Sequence, residues 1–196
     1  MSLLGKMVTK TVEIGIKRAV TKATWKELNE RRSTDSLAEN CEYANCLIIE
    51  EKLLSLTKNI VYDANHNEKY TIMPIVPFVG SSSWKLIDLV GEELGSVCKV
   101  PFTPCYAVSI YGKEIGTVTK INSQNLIFET DYINWNVKGN MLQLDYVALD
   151  NRGKIVLKVH SAFWSGTNAY VMEYPDARHE LLGLLLLMAI ALIRSK

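Results

Sequence analysis

The segment from Leu181 to Ile193, LLGLLLLMAIALI, carries no charged or polar side chain, and it restricts what this chain can fold into more than any other stretch. Pro175-Asp176 supplies a helix start just before it, so the pattern predicts a central helix over 177–194. At 1.5 Å per residue its apolar part is about 20 Å long, whereas a bilayer core is about 30 Å thick and takes about 20 apolar residues. A helix apolar on every side cannot rest on a protein surface either. Leaving half of its large side chains in water would cost on the order of 10 kcal/mol, the whole stability of a typical domain. The rest of the chain must therefore enclose it. The competing reading is a membrane tail anchor flanked by Arg194 and Lys196.

What precedes the helix is the raw material of a closed sheet. LQLDYVALD-NRG-KIVLKVH places Leu142, Leu144, Tyr146 and Ala148 on one face of a first arm and Ile155, Leu157 and Val159 on one face of a second, with Asn151-Arg152-Gly153 as the turn. The same plan recurs in IVYDANHNEKYTI, in WKLIDLVGEELGSV around Gly91 and in YAVSIYGKEIGTV around Gly112. These turns fall roughly 20 to 40 residues apart, a meander of related hairpins. Wrapping such a sheet around the helix removes its aggregation-prone edges and covers the helix at once. The expected fold class is mainly β: a closed antiparallel barrel around a hydrophobic C-terminal helix. Pro74, Pro77, Pro101 and Pro104 mark MPIVPFVGSSS and VPFTPC as edge or loop segments, and Ser81-Ser82-Ser83 as a loop. That serine run lacks the glycines and lysine of a phosphate-binding loop.

A chain of 196 residues with 48% apolar and 22% charged residues can bury its core in one domain, and a formal net charge of +1 points to no nucleic-acid partner. The balance hides a polar layout. From Lys6 to Lys26 the basic residues Lys6, Lys10, Lys17, Arg18, Lys22 and Lys26 face a single acid, Glu13, while Val8, Val12, Ile16, Ala19, Val20 and Ala23 recur at helical spacing. The segment reads as an N-terminal basic amphipathic helix, and RRSTDS as a linker. Its expected division is 1–45 for helix and linker and 46–196 for the barrel. Such a helix suits an anionic membrane interface, the barrel's outside or a second subunit. The six basic residues are the candidate contact with lipid or with a protein partner.

Cys41, Cys46, Cys98 and Cys105 stand without a secretory signal, so free thiols in a reducing cytoplasm are expected, with localisation cytoplasmic and peripheral to the membrane. Their spacings are loose for zinc, and His66, His160 and His179 lie in separate segments. Neither metal nor cofactor is expected. G-x-S-x-G, H-E-x-x-H, C-x-x-C and G-x-G-x-x-G are absent from the chain. His160, at the end of a strand, and His179, beside Glu180, read as structural or rim residues rather than general bases. Trp84, Trp135 and Trp164 read as aromatics packed on the barrel.

GNMLQLDYVALDNRGKIVLKVHSAFWSGTNAYVMEYPDARHELLGLLLLMAIALI resembles the C-terminal half of LURP-one-related proteins, which share the tubby C-terminal-like fold. The resemblance rests on Gly139-Asn140 opening a hairpin, an aspartate-containing turn, Trp164, Tyr170 on a strand and the Leu/Ala helix, in that order, and runs from about Cys46 to Ile193. Arg194 stands where the family helix often closes on an acid, and the residues before Cys46 lie outside the match. It implies a barrel of about twelve strands around a central helix, with no catalytic residues. Its distant relatives, tubby and the phospholipid scramblases, act at membranes. The function expected is a non-enzymatic binding or scaffold module; the alternatives are a small enzyme with a non-standard site at a barrel mouth and a structural homo-oligomer.

Overall fold

The computed structural model describes residues 45–50, 58–75, 83–140, 143–164 and 167–194, all of them within one compact unit spanning Cys41–Lys196. The N-terminal amphipathic helix expected over residues 6–26 lies outside the described residues.

Alternating segments become strands wherever one face can be buried, and twelve do so here. They are β1 (Asn45–Glu50), β2 (Asn59–Asp63), β3 (Glu68–Ile75), β4 (Ser83–Ile87), β5 (Glu93–Lys99) and β6 (Cys105–Ile110), followed by β7 (Lys113–Lys120), β8 (Asn125–Thr130), β9 (Asn134–Asn140), β10 (Asp145–Leu149), β11 (Ile155–Trp164) and β12 (Thr167–Tyr174). Each strand pairs antiparallel with its sequence neighbours, and β12 returns to β1 with Ile48 opposite Val171, closing the barrel. A 3-10 turn, Ala177–His179, leads into α1 (Glu180–Arg194), whose residues Gly183, Leu184, Leu185, Leu186, Leu187, Met188, Ala189, Ile190, Ala191 and Leu192 are all buried. The helix fills the lumen, as its composition demands, against Trp84, Val97, Phe128, Trp135 and Met172 from the wall.

The hairpin punctuation holds at all four expected positions, and three of the turns share one construction. Asp63, Asp88 and Asp150 each end an arm with Oδ1 accepting the backbone N–H groups two and four residues on, at 2.8–3.0 Å. Three residues after each aspartate the backbone turns left-handed, at His66 (φ 66°), Gly91 (φ 92°) and Gly153 (φ 77°). This is the three-residue hairpin closed by a bulge, in which the left-handed position favours glycine.

Four expectations take a more exact form. Pro74 lies within β3 opposite Trp84, beyond Ile72, where the described pairing with β2 ends, which is the edge rather than the loop form of the expectation. Ser83 opens β4 and is buried, whereas Ser81 and Ser82 lie outside the described residues. Leu144 is buried as expected but has φ 51° and precedes β10, because the chain is still turning there. Trp84 and Trp135, expected as aromatics packed on the barrel, lie on β4 and β9 and pack into its core. Trp164 lies in β11.

An up-and-down barrel sends alternate connections to opposite ends. The 64–67, 88–92, 111–112, 131–133 and 150–154 turns share the end where α1 begins, here the mouth. The 100–104 and 121–124 turns share the far end, where α1 finishes at Arg194.

Candidate functional site

The mouth is where the chain must change from strand to helix, and polar side chains gather there because backbone donors at a helix start need acceptors. Asp176 caps the 3-10 turn, its Oδ1 accepting the Arg178 N–H at 2.9 Å. The same carboxylate is gripped by the Arg178 guanidinium, with Nη2 to Oδ2 at 2.6 Å. This contact holds the Asp176 carboxyl far below the usual carboxylate range and raises Arg178.

Four residues on, Glu180 opens α1 and is the hub of the mouth. Its Oε1 accepts the Tyr70 hydroxyl at 2.5 Å and lies 2.5 Å from Lys69 Nζ, and its Oε2 accepts the Tyr174 hydroxyl. Burial alone would raise this carboxyl, but Lys69 and the two phenols outweigh burial and leave it below its ordinary value. Burial, followed by the neighbouring Glu180 charge, pushes Tyr70 and Tyr174 well above the ordinary phenol range. A carboxylate in the first helical turn also meets the positive end of the helix dipole. The cluster ties β3, β12 and α1 together.

Beside it a groove of about 400 Å³ opens between the 131–134, 150–154 and 175–179 segments. Tyr132, Asn134, Asn151, Lys154, Arg178 and His179 line it. Its floor is aromatic: Trp135 meets Phe128 edge-on at 5.5 Å and the His179 ring at 5.3 Å. His179 Nδ1 is buried without a hydrogen-bond partner, whereas Asp150 is spent on its own turn, which holds its carboxyl low. The groove offers polar contacts around an aromatic base.

The sequence-predicted contacts Lys6, Lys10, Lys17, Arg18, Lys22 and Lys26 lie outside the described residues. His160 stands within β11 rather than at its end, its Nδ1 3.3 Å from Glu173 Oε1 on β12. Cys46, Cys98 and Cys105 form no disulfide among the described residues, and Cys105 Sγ lies 3.4 Å from Thr119 Oγ1. Among the described residues no three His, Cys, Asp or Glu side chains are placed to hold a metal ion. None of their helices is long and apolar enough to cross a membrane. The Glu180 hub was not anticipated; Tyr70 is 110 residues away in sequence, and no local spacing announces the pair.

No protein-family model matches the chain, and no curated protein does. Among solved structures, the X-ray structure of a protein from Arabidopsis thaliana matches at 18% identity and a TM-score of 0.58, covering 79% of this chain and 94% of that one. At that identity the likeness speaks for the fold alone: this chain is built on the same closed barrel plan as that Arabidopsis protein.

Proposed function

We propose that this protein is a non-enzymatic binding module of the LURP-one-related, tubby-like class that works at an anionic membrane surface on its cytoplasmic side. The observation that carries the reading is the filled lumen: α1 is buried from Gly183 to Leu192 and packed by the barrel wall. A barrel of this size that held a small ligand would need that space empty. Its contacts are therefore made from outside. The class is supported by the twelve-stranded barrel with a central helix and by the shared fold of the Arabidopsis structure. The basic segment holding Lys6, Lys10, Lys17, Arg18, Lys22 and Lys26 is the contact assigned to lipid, since amphipathic basic helices partition to anionic interfaces.

Co-sedimentation with phosphatidylserine-containing vesicles tests this, using the full chain and a chain that starts at Glu27. Binding by the full chain, weakened by the truncation, is the expected result. Absence of binding by both removes the lipid reading.

For the enzyme alternative, the groove beside Glu180 is a place to act among the described residues. There Asp176 and Arg178 neutralise each other and Asp150 is committed to its turn, which favours binding over proton transfer.

A further inference from the structure

The two ends of the barrel solve the same problem with different chemistry. At the mouth, turn N–H groups are accepted by the carboxylates of Asp63, Asp88 and Asp150, with the Thr130 hydroxyl serving the 131–133 turn, and Asp176 caps the lead-in to α1. At the far end neutral oxygens do this work. Thr103 Oγ1 accepts the Cys105 N–H at 3.2 Å, Asn122 Oδ1 the Gln124 N–H at 2.9 Å, and Asn140 Oδ1 the Gln143 N–H at 3.2 Å.

The far end is also where topology collects cations. Lys58 precedes β2, Lys99 and Lys120 close β5 and β7, Lys138 lies near the end of β9, and Arg194 ends α1. Against these five stand Glu50, closing β1, and Asp145, opening β10. Of the strand connections at that end outside the described residues, 51–57 contains one acid and one base, Glu51 and Lys52, and 76–82 contains neither.

Two apolar tips project among these cations. Phe102 is fully exposed (108%) at the apex of the 100–104 turn, and Ile121 is 56% exposed in the next far-end turn. The turns are stitched together: Lys120 N–H donates to Pro104 O at 3.2 Å, and Gly139 N–H to Gln124 O at 3.1 Å, which draws in the strand of Lys138. Phe102 also sits at φ 60°. A bulky side chain in the left-handed region is unfavourable for the backbone, and this wholly exposed ring gains no packing that would offset it.

We infer that the far end of the barrel docks on an anionic bilayer, with Phe102 and Ile121 entering the headgroup region and Lys58, Lys120 and Lys138 facing lipid charge. Isolated tips ringed by cations suit a fluid interface, whereas a protein partner calls for a broad complementary patch. This rests on the lipid reading above and adds a face of the barrel itself.

The test compares full-length wild type with two full-length variants, Phe102→Ser/Ile121→Ser and Lys58→Gln/Lys120→Gln/Lys138→Gln. Each is sedimented with phosphatidylcholine vesicles containing or lacking phosphatidylserine, and thermal melts check that it is folded. The substituted side chains are exposed, so both variants keep the wild-type melt. Each set of changes is expected to lower partitioning to the anionic vesicles by about tenfold. Wild-type binding undiminished in both variants overturns this face while leaving the lipid reading in place. Loss in the lysine variant alone also overturns it, marking a charged surface that does not insert, as for an acidic macromolecule. No wild-type binding at all overturns both.

Discussion

Tyr70, on β3, donates its hydroxyl at 2.5 Å to Glu180, the first residue of the central helix, across 110 residues of sequence. The apolar stretch from Leu181 to Ile193 carries no polar side chain to mark how deep the helix sits. One carboxylate held by Tyr70, Tyr174 and Lys69 fixes its depth in the barrel.

Glu180→Gln should therefore lower stability at neutral pH by about 1–2 kcal/mol, because hydrogen bonds to a charged acceptor are replaced by weaker ones at a partly exposed site. The folded carboxyl titrates below its ordinary value of 4.5. Its contribution is complete above that value and fades as pH falls through the lowered folded one. Urea melts across this acid range should give a shallower loss of stability in the variant than in the wild type. Equal slopes would show that Glu180 does not carry the effect.

The three aspartate turns make a prediction of opposite sign. His66 occupies the left-handed position that Gly91 and Gly153 fill in the matching turns. His66→Gly should stabilise the protein by roughly 0.5–1 kcal/mol, relief of backbone strain exceeding the added freedom of the unfolded chain. A rise in the urea midpoint checks it, and a fall would mean that the histidine side chain contributes more than its backbone costs.

Close approach in the wall gives a third. A Cβ built on Gly116 in β7 would lie 2.0 Å from Glu129 O and 2.8 Å from Thr130 Cα, both backbone atoms of β8. Backbone cannot swing aside as a side chain does, so Gly116→Ala should cost about 3 kcal/mol or more, read as a lowered denaturation midpoint.

These cases show what could be seen before the structure. The enclosed helix followed from LLGLLLLMAIALI because no surface or bilayer suits it, and the hairpins followed from alternating arms around Gly91, Gly112 and Gly153. CLII in β1 was harder. Cys46 and Ile48, turned away from the lumen, are buried as fully as the inward-facing Leu47 and Ile49, so no alternation marks the strand. The mouth was illegible because its members come from β3, β12 and α1 and meet only on closure. The far-end cations were likewise invisible, since Lys58, Lys99, Lys120 and Lys138 are scattered until the meander aligns them.

The account stands on a helix threaded through a closed wall of strands, and native-state hydrogen exchange of the amides from Leu184 to Leu192 tests it most directly. If the helix is enclosed, these amides exchange only when the whole barrel unfolds, with an opening free energy equal to the global value and the same urea dependence. Exchange at a lower free energy, insensitive to urea while the strands of the wall stay protected, would mean that the helix leaves the barrel on its own and would contradict the architecture.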